Sequence, residues 1–222
     1  MNLCCIPEGV TLEQAVMITD MVTTGFHSVE LGGVRLGDTV AVFGIGPVGL
    51  MAVAGSVLSG AGRLIGVGTR PNCVALAKEY GATDIISYKE GDIIEQIMDL
   101  TNGKGVDVAI LAGGDQETFK AAWAVTKNGG TVSVITVYTG IDHFEIPYEY
   151  SGGGLLGHKK LIGGLCPGGR KRTERLLSLV QAGRFDPGKL VTHTFHGFEH
   201  LPEAFDLMVN KPRDLIKPIV II

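Results

Sequence analysis

Basic residues are too few in this chain to make an electrostatic nucleic-acid binder. The 222 residues include 19 Lys and Arg against 23 Asp and Glu, a formal net charge of −4. Phosphate-backbone binding needs a one-sided Lys/Arg excess instead. Long apolar runs are missing as well: none approaches the ~20 residues that a membrane helix requires. The start, Met1-Asn2-Leu3-Cys4-Cys5, has neither the basic nor the apolar segment of a secretory signal, so none is expected. Cysteine is sparse. Cys4, Cys5, Cys73 and Cys166 form no CxxC pair and no zinc-finger spacing. Reduced thiols and a cytoplasmic location are the expectation. Internal repeats, low-complexity tracts and long charge blocks are absent too.

What is present is an apolar, glycine-rich chain. Hydrophobic residues make up 45% and charged residues 19%, which excludes disorder as the main state. Glycine accounts for 33 residues, roughly twice the usual share. No Gly-x-y period accompanies it, so collagen is excluded and glycine-rich turns between strands remain.

From Thr39 onward, short β-rich runs alternate with helix-length segments. Strands are expected at 39–43, 63–67, 84–86, 106–111 and 130–137, with helices at 47–59, 71–80, 92–100 and 116–125 between them. The strands are apolar on both faces, the pattern of a parallel sheet covered on both sides. The fold class is therefore α/β, a doubly wound parallel sheet of Rossmann type. A continuous helix is expected over about 12–31. Past Tyr138 the pattern loosens through the glycines of 152–154 and 163–164, with a short strand near Leu161-Ile162. A helix over 170–182, a strand over 190–195, a helix over 201–209 and a strand over 216–222 complete the reading.

One motif carries chemistry. Gly44-Ile45-Gly46-Pro47-Val48-Gly49 is GxGxxG, placed between an apolar strand and a helix. That context raises it from a weak pattern to a dinucleotide-binding turn. Gly44 allows the tight turn, Gly46 lets the backbone approach a pyrophosphate, and Gly49 lets the helix close on the sheet. The helix N-terminus then offers free N–H groups to the phosphates. The end of the second strand selects the cofactor. An NAD binder places Asp or Glu about 20 residues on, to hold the ribose 2′-OH. Here Gly68-Thr69-Arg70 stands there instead. A missing carboxylate leaves room for a 2′-phosphate, to which Thr69 can donate and Arg70 can offer a charged planar fork. This favours NADP(H).

With these residues in view, the chain resembles the zinc-dependent medium-chain alcohol dehydrogenases. Within them it is most similar to the bacterial NADP-dependent secondary-alcohol (isopropanol) dehydrogenases. The runs that carry the likeness include Asp20-Met-Val-Thr-Thr-Gly25, the 44–49 turn, Gly66-Val-Gly-Thr-Arg-Pro71, Tyr80-Gly-Ala-Thr-Asp84, Gly163-Gly-Leu-Cys-Pro-Gly-Gly-Arg170 and Lys211-Pro-Arg-Asp-Leu-Ile-Lys217. The resemblance implies three parts: 1–29 as a linking helix and end of a catalytic domain, 30–165 as the NADP-binding domain, and 166–222 as the return to the catalytic domain. It also implies a further N-terminal segment in complete members, holding a cysteine and a His-Glu pair of the zinc site. Asp20 would be the remaining zinc ligand. Ile45 to Val48 would line the pyrophosphate turn, with Gly68, Thr69 and Arg70 at the 2′-phosphate and Tyr88 beside the adenosine. Ile135, Thr136 and Val137 would lie along the nicotinamide, and Lys211 would reach the cofactor from the C-terminal return. The implied reaction moves a hydride between NADP(H) and a small secondary alcohol or ketone, in a homo-oligomer, a tetramer by resemblance, with neither nucleic acid nor membrane as partner. Two other readings stand beside it: a non-catalytic NADP(H)-binding module, and a zinc-free quinone-reductase-like member.

The remaining candidates are weaker. Asp20 in an apolar helical stretch reads as a buried carboxylate, and burial demands zinc, a hydrogen bond or a helix cap. His193 and His196 should point to opposite faces of a strand, since side chains alternate, so the histidines of 193–200 are no metal cluster. His27 reads as a packed helix-end residue. Arg170, Lys171, Arg172 and Arg175 read as a solvated helix start. Cys166 has no His or Asn placed with it, so it is no nucleophile. No catalytic residue is assigned.

Overall fold

The computed structural model describes residues 3–138, 140, 142–148 and 154–222, so Gly152 and Gly153 lie outside the described residues. Six strands form one parallel sheet: β1 (Thr39–Phe43), β2 (Arg63–Val67), β3 (Asp84–Ile86), β4 (Val106–Leu111), β5 (Thr126–Val134) and β6 (Lys160–Gly163). Their order is β3-β2-β1-β4-β5-β6, with every pairing parallel. The order reverses between β1 and β4, which is the switch point where such sheets open a crevice at their carboxyl ends.

The doubly apolar strands bury both faces. Val40, Val42, Leu64 and Ile110 join one core with Leu50, Met51 and Leu76 from α3 (Pro47–Leu58) and α4 (Pro71–Glu79). Ala41, Phe43, Ile65 and Leu111 join the other with Ile97 from α5 (Ile93–Leu100) and Phe119 from α6 (Gln116–Val125). Proline opens α3 and α4 at the first turn, where its missing N–H leaves no hydrogen bond unmade. Asp92 and Asp115 cap α5 and α6 by accepting from the N–H of Glu95 and Thr118, each stabilising its helix by about 1 kcal/mol.

Two elements differ from the sequence reading. The strand expected from Gly130 begins at Thr126, and its ladder to β4 jumps from Val106–Thr126 to Val108–Thr131. The extra residues bulge out at 127–130, where Gly129 takes φ +77°. A bulge adds unpaired residues without breaking the strand, so it reads locally as a turn. The strand ends at Val134, and 135–137 lie beyond it.

The expected continuous N-terminal helix is three pieces. α1 (Leu12–Met17) runs into a π-helical turn (Ile18–Val22), followed by α2 (Thr23–Gly32). Met17, Met21, Gly25 and Val29 are all buried. That spacing of four outruns the 3.6-residue period of an α-helix, and the wider π turn lets one face stay inward.

The C-terminal part adds α7 (Arg170–Gln181), β7 (Val191–His196), α8 (Leu201–Asn210) and β8 (Lys217–Ile221). Leu190 closes a 3-10 turn rather than opening the strand. β7 and β8 pair in parallel as a separate two-stranded sheet. His193 is part-buried and His196 exposed, as alternation requires. Among the described residues no helix is long and apolar enough to cross a membrane.

Candidate functional site

The glycine turn sits at the carboxyl end of β1. Gly44 has φ +86°, and a Cβ there would meet the Gly113 backbone at 3.0 Å. A Cβ on Gly49 would stand 2.0 Å from the Gly44 carbonyl oxygen, so no side chain fits at either position. Gly46 caps α3 in an extended conformation. Its own Cβ would meet only Arg70 Nη2, at 3.5 Å. The turn is thus tight against protein on two sides and open on the third, toward Arg70. Val48 is part-buried and Ile45 is buried. Ile45 turns its side chain inward against the sheet, and its N–H, like that of Gly44, donates to the Val67 carbonyl.

That side chain explains the missing acid. A Cβ on Gly68 would lie 2.4 Å from Ile45 Cγ1. The end of β2 therefore excludes Asp and Glu by packing as well as by sequence. The next residues turn outward. Thr69 Oγ1 donates to the Tyr88 hydroxyl at 2.8 Å, bringing together two residues expected at the adenosine end. Arg70 Nη1 donates to the Leu215 carbonyl at 2.8 Å, and Asn72 Nδ2 donates to the Asp214 carbonyl at 2.8 Å. The turn after Lys211 thereby stands beside the β2–α4 turn. Lys211 is exposed and takes the left-handed conformation, φ 46°, as the C-cap of α8. On the β5 side, Ile135 N–H and Thr136 Oγ1 both donate to the Leu111 carbonyl, at 3.2 and 3.0 Å. Val137 is exposed.

Asp20 corrects the sequence reading: it is exposed, not buried. It lies in the π turn, a feature found often at functional sites. Thr24 Oγ1 donates to its carboxylate at 3.1 Å and lies 3.6 Å from Cys166 Sγ. Asp20, Thr24 and Cys166 thus form one short cluster. Among the described residues, no three His, Cys, Asp or Glu side chains converge as a metal site requires. The residues present do not by themselves fit a zinc ion, which takes three protein ligands at a catalytic site.

Arg172 is a second correction. Its side chain is 17% exposed, so it is no solvated helix-start residue. Nε donates to Thr23 Oγ1 at 2.7 Å, Nη2 to the Thr23 carbonyl at 3.1 Å, and Nη1 to both Glu30 oxygens. Burial pushes the Glu30 carboxyl up, but hydrogen bonds from Arg172 and His27 outweigh it and hold the group below its usual range. Arg172 therefore pins the residue that follows the π turn. Asp20 also borders an apolar groove of about 870 Å³, lined by Leu12, Val16, Phe198, Phe205 and Ile219 among others. No residue of the glycine turn lines it.

Asn72 and the Leu215 carbonyl escaped the sequence reading, and the partners of Arg172 did too. Each acts across more than 140 residues of chain, and no motif spacing reports such a contact.

The chain is similar to known proteins along its whole length. The zinc-binding dehydrogenase family matches residues 47–182. The chain is 56% identical over 222 residues to the NADP-dependent isopropanol dehydrogenase of Thermoanaerobacter brockii, and 54% identical to that of Clostridium beijerinckii. In both cases all of the chain matches 63% of the relative, so it spans about three fifths of their length. The alcohol dehydrogenase TADH from Thermus sp. ATN1 superposes with a TM-score of 0.84 at 26% identity, covering 98% of this chain and 60% of that one. A zinc-dependent alcohol dehydrogenase from Streptococcus pneumonia superposes with a TM-score of 0.82 at 30% identity, covering 96% and 59%.

Proposed function

The chain belongs to the zinc-binding dehydrogenase family, and we propose that it is the NADP(H)-binding part of an alcohol dehydrogenase acting on a small secondary alcohol or ketone. The observation that carries the cofactor assignment is the end of β2. Gly68 is barred from carrying a carboxylate by Ile45, and Thr69 and Arg70 turn outward beside it. The names of the relatives, NADP-dependent isopropanol dehydrogenases, support the same cofactor and substrate class.

In this reading the N-terminus of α3 receives the pyrophosphate over Gly44, Ile45, Gly46, Pro47, Val48 and Gly49; the N–H groups of Gly46, Val48 and Gly49 serve as donors, since Pro47 has none and those of Gly44 and Ile45 donate to the Val67 carbonyl. Arg70 and Thr69 receive the 2′-phosphate, with Tyr88 alongside and Lys211 reaching in from the C-terminal return. Ile135, Thr136 and Val137 flank the nicotinamide. Bound NADP(H) supplies the hydride chemistry; the protein's part is to fix the nicotinamide against a substrate carbon. Asp20 would offer one carboxylate oxygen to a zinc ion. Among the described residues no further ligands converge beside it.

On the same reading the chain divides into 1–29, 30–165 and 166–222, as linking helix, cofactor domain and return. The complete protein works in the cytoplasm as a homo-oligomer, a tetramer by resemblance. Its partners are small molecules rather than nucleic acid or membrane, which the net charge of −4 supports.

The test is a binding titration with NADPH and NADH at one salt concentration. NADPH should bind more tightly, and Arg70→Ala should weaken NADPH by about ten- to a hundredfold, the worth of a charge-assisted hydrogen bond. NADH should bind the variant as it binds the parent. Equal affinity of the parent for both cofactors would sink the assignment.

A further inference from the structure

We propose that Asn72 is a positioning residue for recognition of the 2′-phosphate, acting on Arg70 through the backbone turn that follows Lys211. The proposal rests on the NADP(H) reading above and deepens it.

A guanidinium on a flexible stem loses rotamer freedom when it grips a phosphate, and that loss weakens binding unless the side chain is ordered beforehand. Arg70 is ordered beforehand. One of its five N–H groups is spent on the Leu215 carbonyl at 2.8 Å. The same guanidinium extends to the glycine turn, where Nη2 stands 3.5 Å from the point a Gly46 Cβ would occupy. Arg70 is therefore anchored on the C-terminal return and stands beside the pyrophosphate turn before any ligand arrives.

The anchor is only as fixed as the Leu215 backbone. Three contacts hold that backbone. The Leu215 side chain is 2% exposed, its N–H donates to the Pro212 carbonyl at 3.1 Å, and the next N–H, of Ile216, donates to Thr192 Oγ1. These fasten the turn to itself, to the core and to β7. Neither of the two hydrogen bonds ties it to the β2–α4 turn. Asn72 does, by donating to the carbonyl one residue before Leu215. Pro71 stands between Arg70 and Asn72, and its locked φ restricts the backbone that carries the two side chains. Arg70 and Asn72 thus grip successive carbonyls, Leu215 and Asp214, as a two-point clamp. Asn72 sets where Leu215 sits, and Leu215 sets where Arg70 sits.

A 2′-phosphate distinguishes NADPH from NADH, so the effect of Asn72 should appear for one cofactor only. Asn72 is exposed, and Asn72→Ala leaves both cores intact. Losing one neutral hydrogen bond in the clamp should weaken NADPH about fivefold and leave NADH unchanged. Asn72→Gln, which keeps the amide donor, should recover part of the loss. In an Arg70→Ala background the same Asn72→Ala change should cost nothing further, because its effect runs through Arg70. Equal weakening of both cofactors, an unchanged NADPH affinity, or a full fivefold loss without Arg70 would each overturn the proposal. A parent chain that binds NADPH and NADH alike removes the cofactor reading and this proposal together. A parent preference that survives Asn72→Ala whole removes this proposal alone.

Discussion

The glycine turn and the π turn lie at two ends of one packed contact, α2 and the π turn against α3, and differ in almost everything else. A Cβ on Gly25, just past the π turn, would stand 2.5 Å from Met51 Cβ, 2.6 Å from the Val48 carbonyl and 2.8 Å from Ala52 N. α2 therefore lies directly on α3 where α3 leaves the glycine motif. On one side of that contact the surroundings are closed: strand ends, α3 and the C-terminal turn converge around backbone groups. On the other side Asp20 stands exposed beside an apolar groove, with one hydroxyl and one thiol near it. A phosphate site is made largely of backbone N–H groups and one helix end, so a single β-α unit nearly completes it. A metal site is made of several side chains, which the described residues do not bring together.

The contrast can be broken most directly at Gly49. A valine Cβ would fall 2.0 Å from the Gly44 carbonyl oxygen, forcing α3 off the turn. Overpacking of this kind costs about 3 kcal/mol of stability. Gly49→Val should lower the urea midpoint by a corresponding amount and leave NADPH binding too weak to titrate. A variant that binds NADPH as the parent does would mean the turn is not where the pyrophosphate sits.

The opposite side is addressed by Arg172→Ala. The lost bonds are all charge-assisted; those to Thr23 are part-buried and those to Glu30 exposed, so stability should fall by about 2 kcal/mol. Amide exchange should speed up across 18–24, where the π turn loses its brace. NADPH affinity should stay within about twofold, less than 0.5 kcal/mol. A large loss of cofactor affinity would show that the two sides are coupled through Gly25 more tightly than their packing implies.

The sheet and the glycine turn were legible because their signals are local. Strands apolar on both faces imply a covered parallel sheet, and GxGxxG between strand and helix states its own geometry. The end of β2 was legible as an absence, although the cause, Ile45 filling the space at Gly68, belongs to packing. The π turn was written only as burial at every fourth residue, a spacing that an α-helical reading absorbs without comment. Asp20 was misread because an apolar stretch predicts burial of each residue in it, whereas a helix buries only a face. Arg172 was misread because three neighbouring basic residues suggest solvation, and its partners Thr23 and Glu30 lie on another helix far back in the chain. The bulge in β5 was hidden because Lys-Asn-Gly-Gly reads as a turn whether or not the strand continues past it.

The smallest effect should come from the far edge of the sheet, and it tests whether that edge is independent of both sites. Arg63 donates from Nε and Nη2 to the two oxygens of Asp84, at 2.8 and 3.0 Å, joining β2 to β3. Hydrogen bonding from Arg63 holds the Asp84 carboxyl below its ordinary value, against a smaller opposing effect of burial. The folded form thus binds its proton less readily than the unfolded chain, whose aspartate titrates at about 4. The bridge's contribution is therefore complete above about pH 4. It fades as the pH falls through the lower folded-state value. Both partners are partly exposed, so the contribution should stay below about 1 kcal/mol. Asp84→Asn should remove that part of the acid limb, read as a shallower loss of stability below about pH 4. Trp123, buried against Phe119 in the sheet's second core, gives the fluorescence signal for the transition. NADPH affinity at neutral pH and amide exchange in the π turn should both stay at parent values. A change in either would mean that the edge strand supports the crevice, and the division between the two sites would then have to be redrawn as a property of the whole sheet.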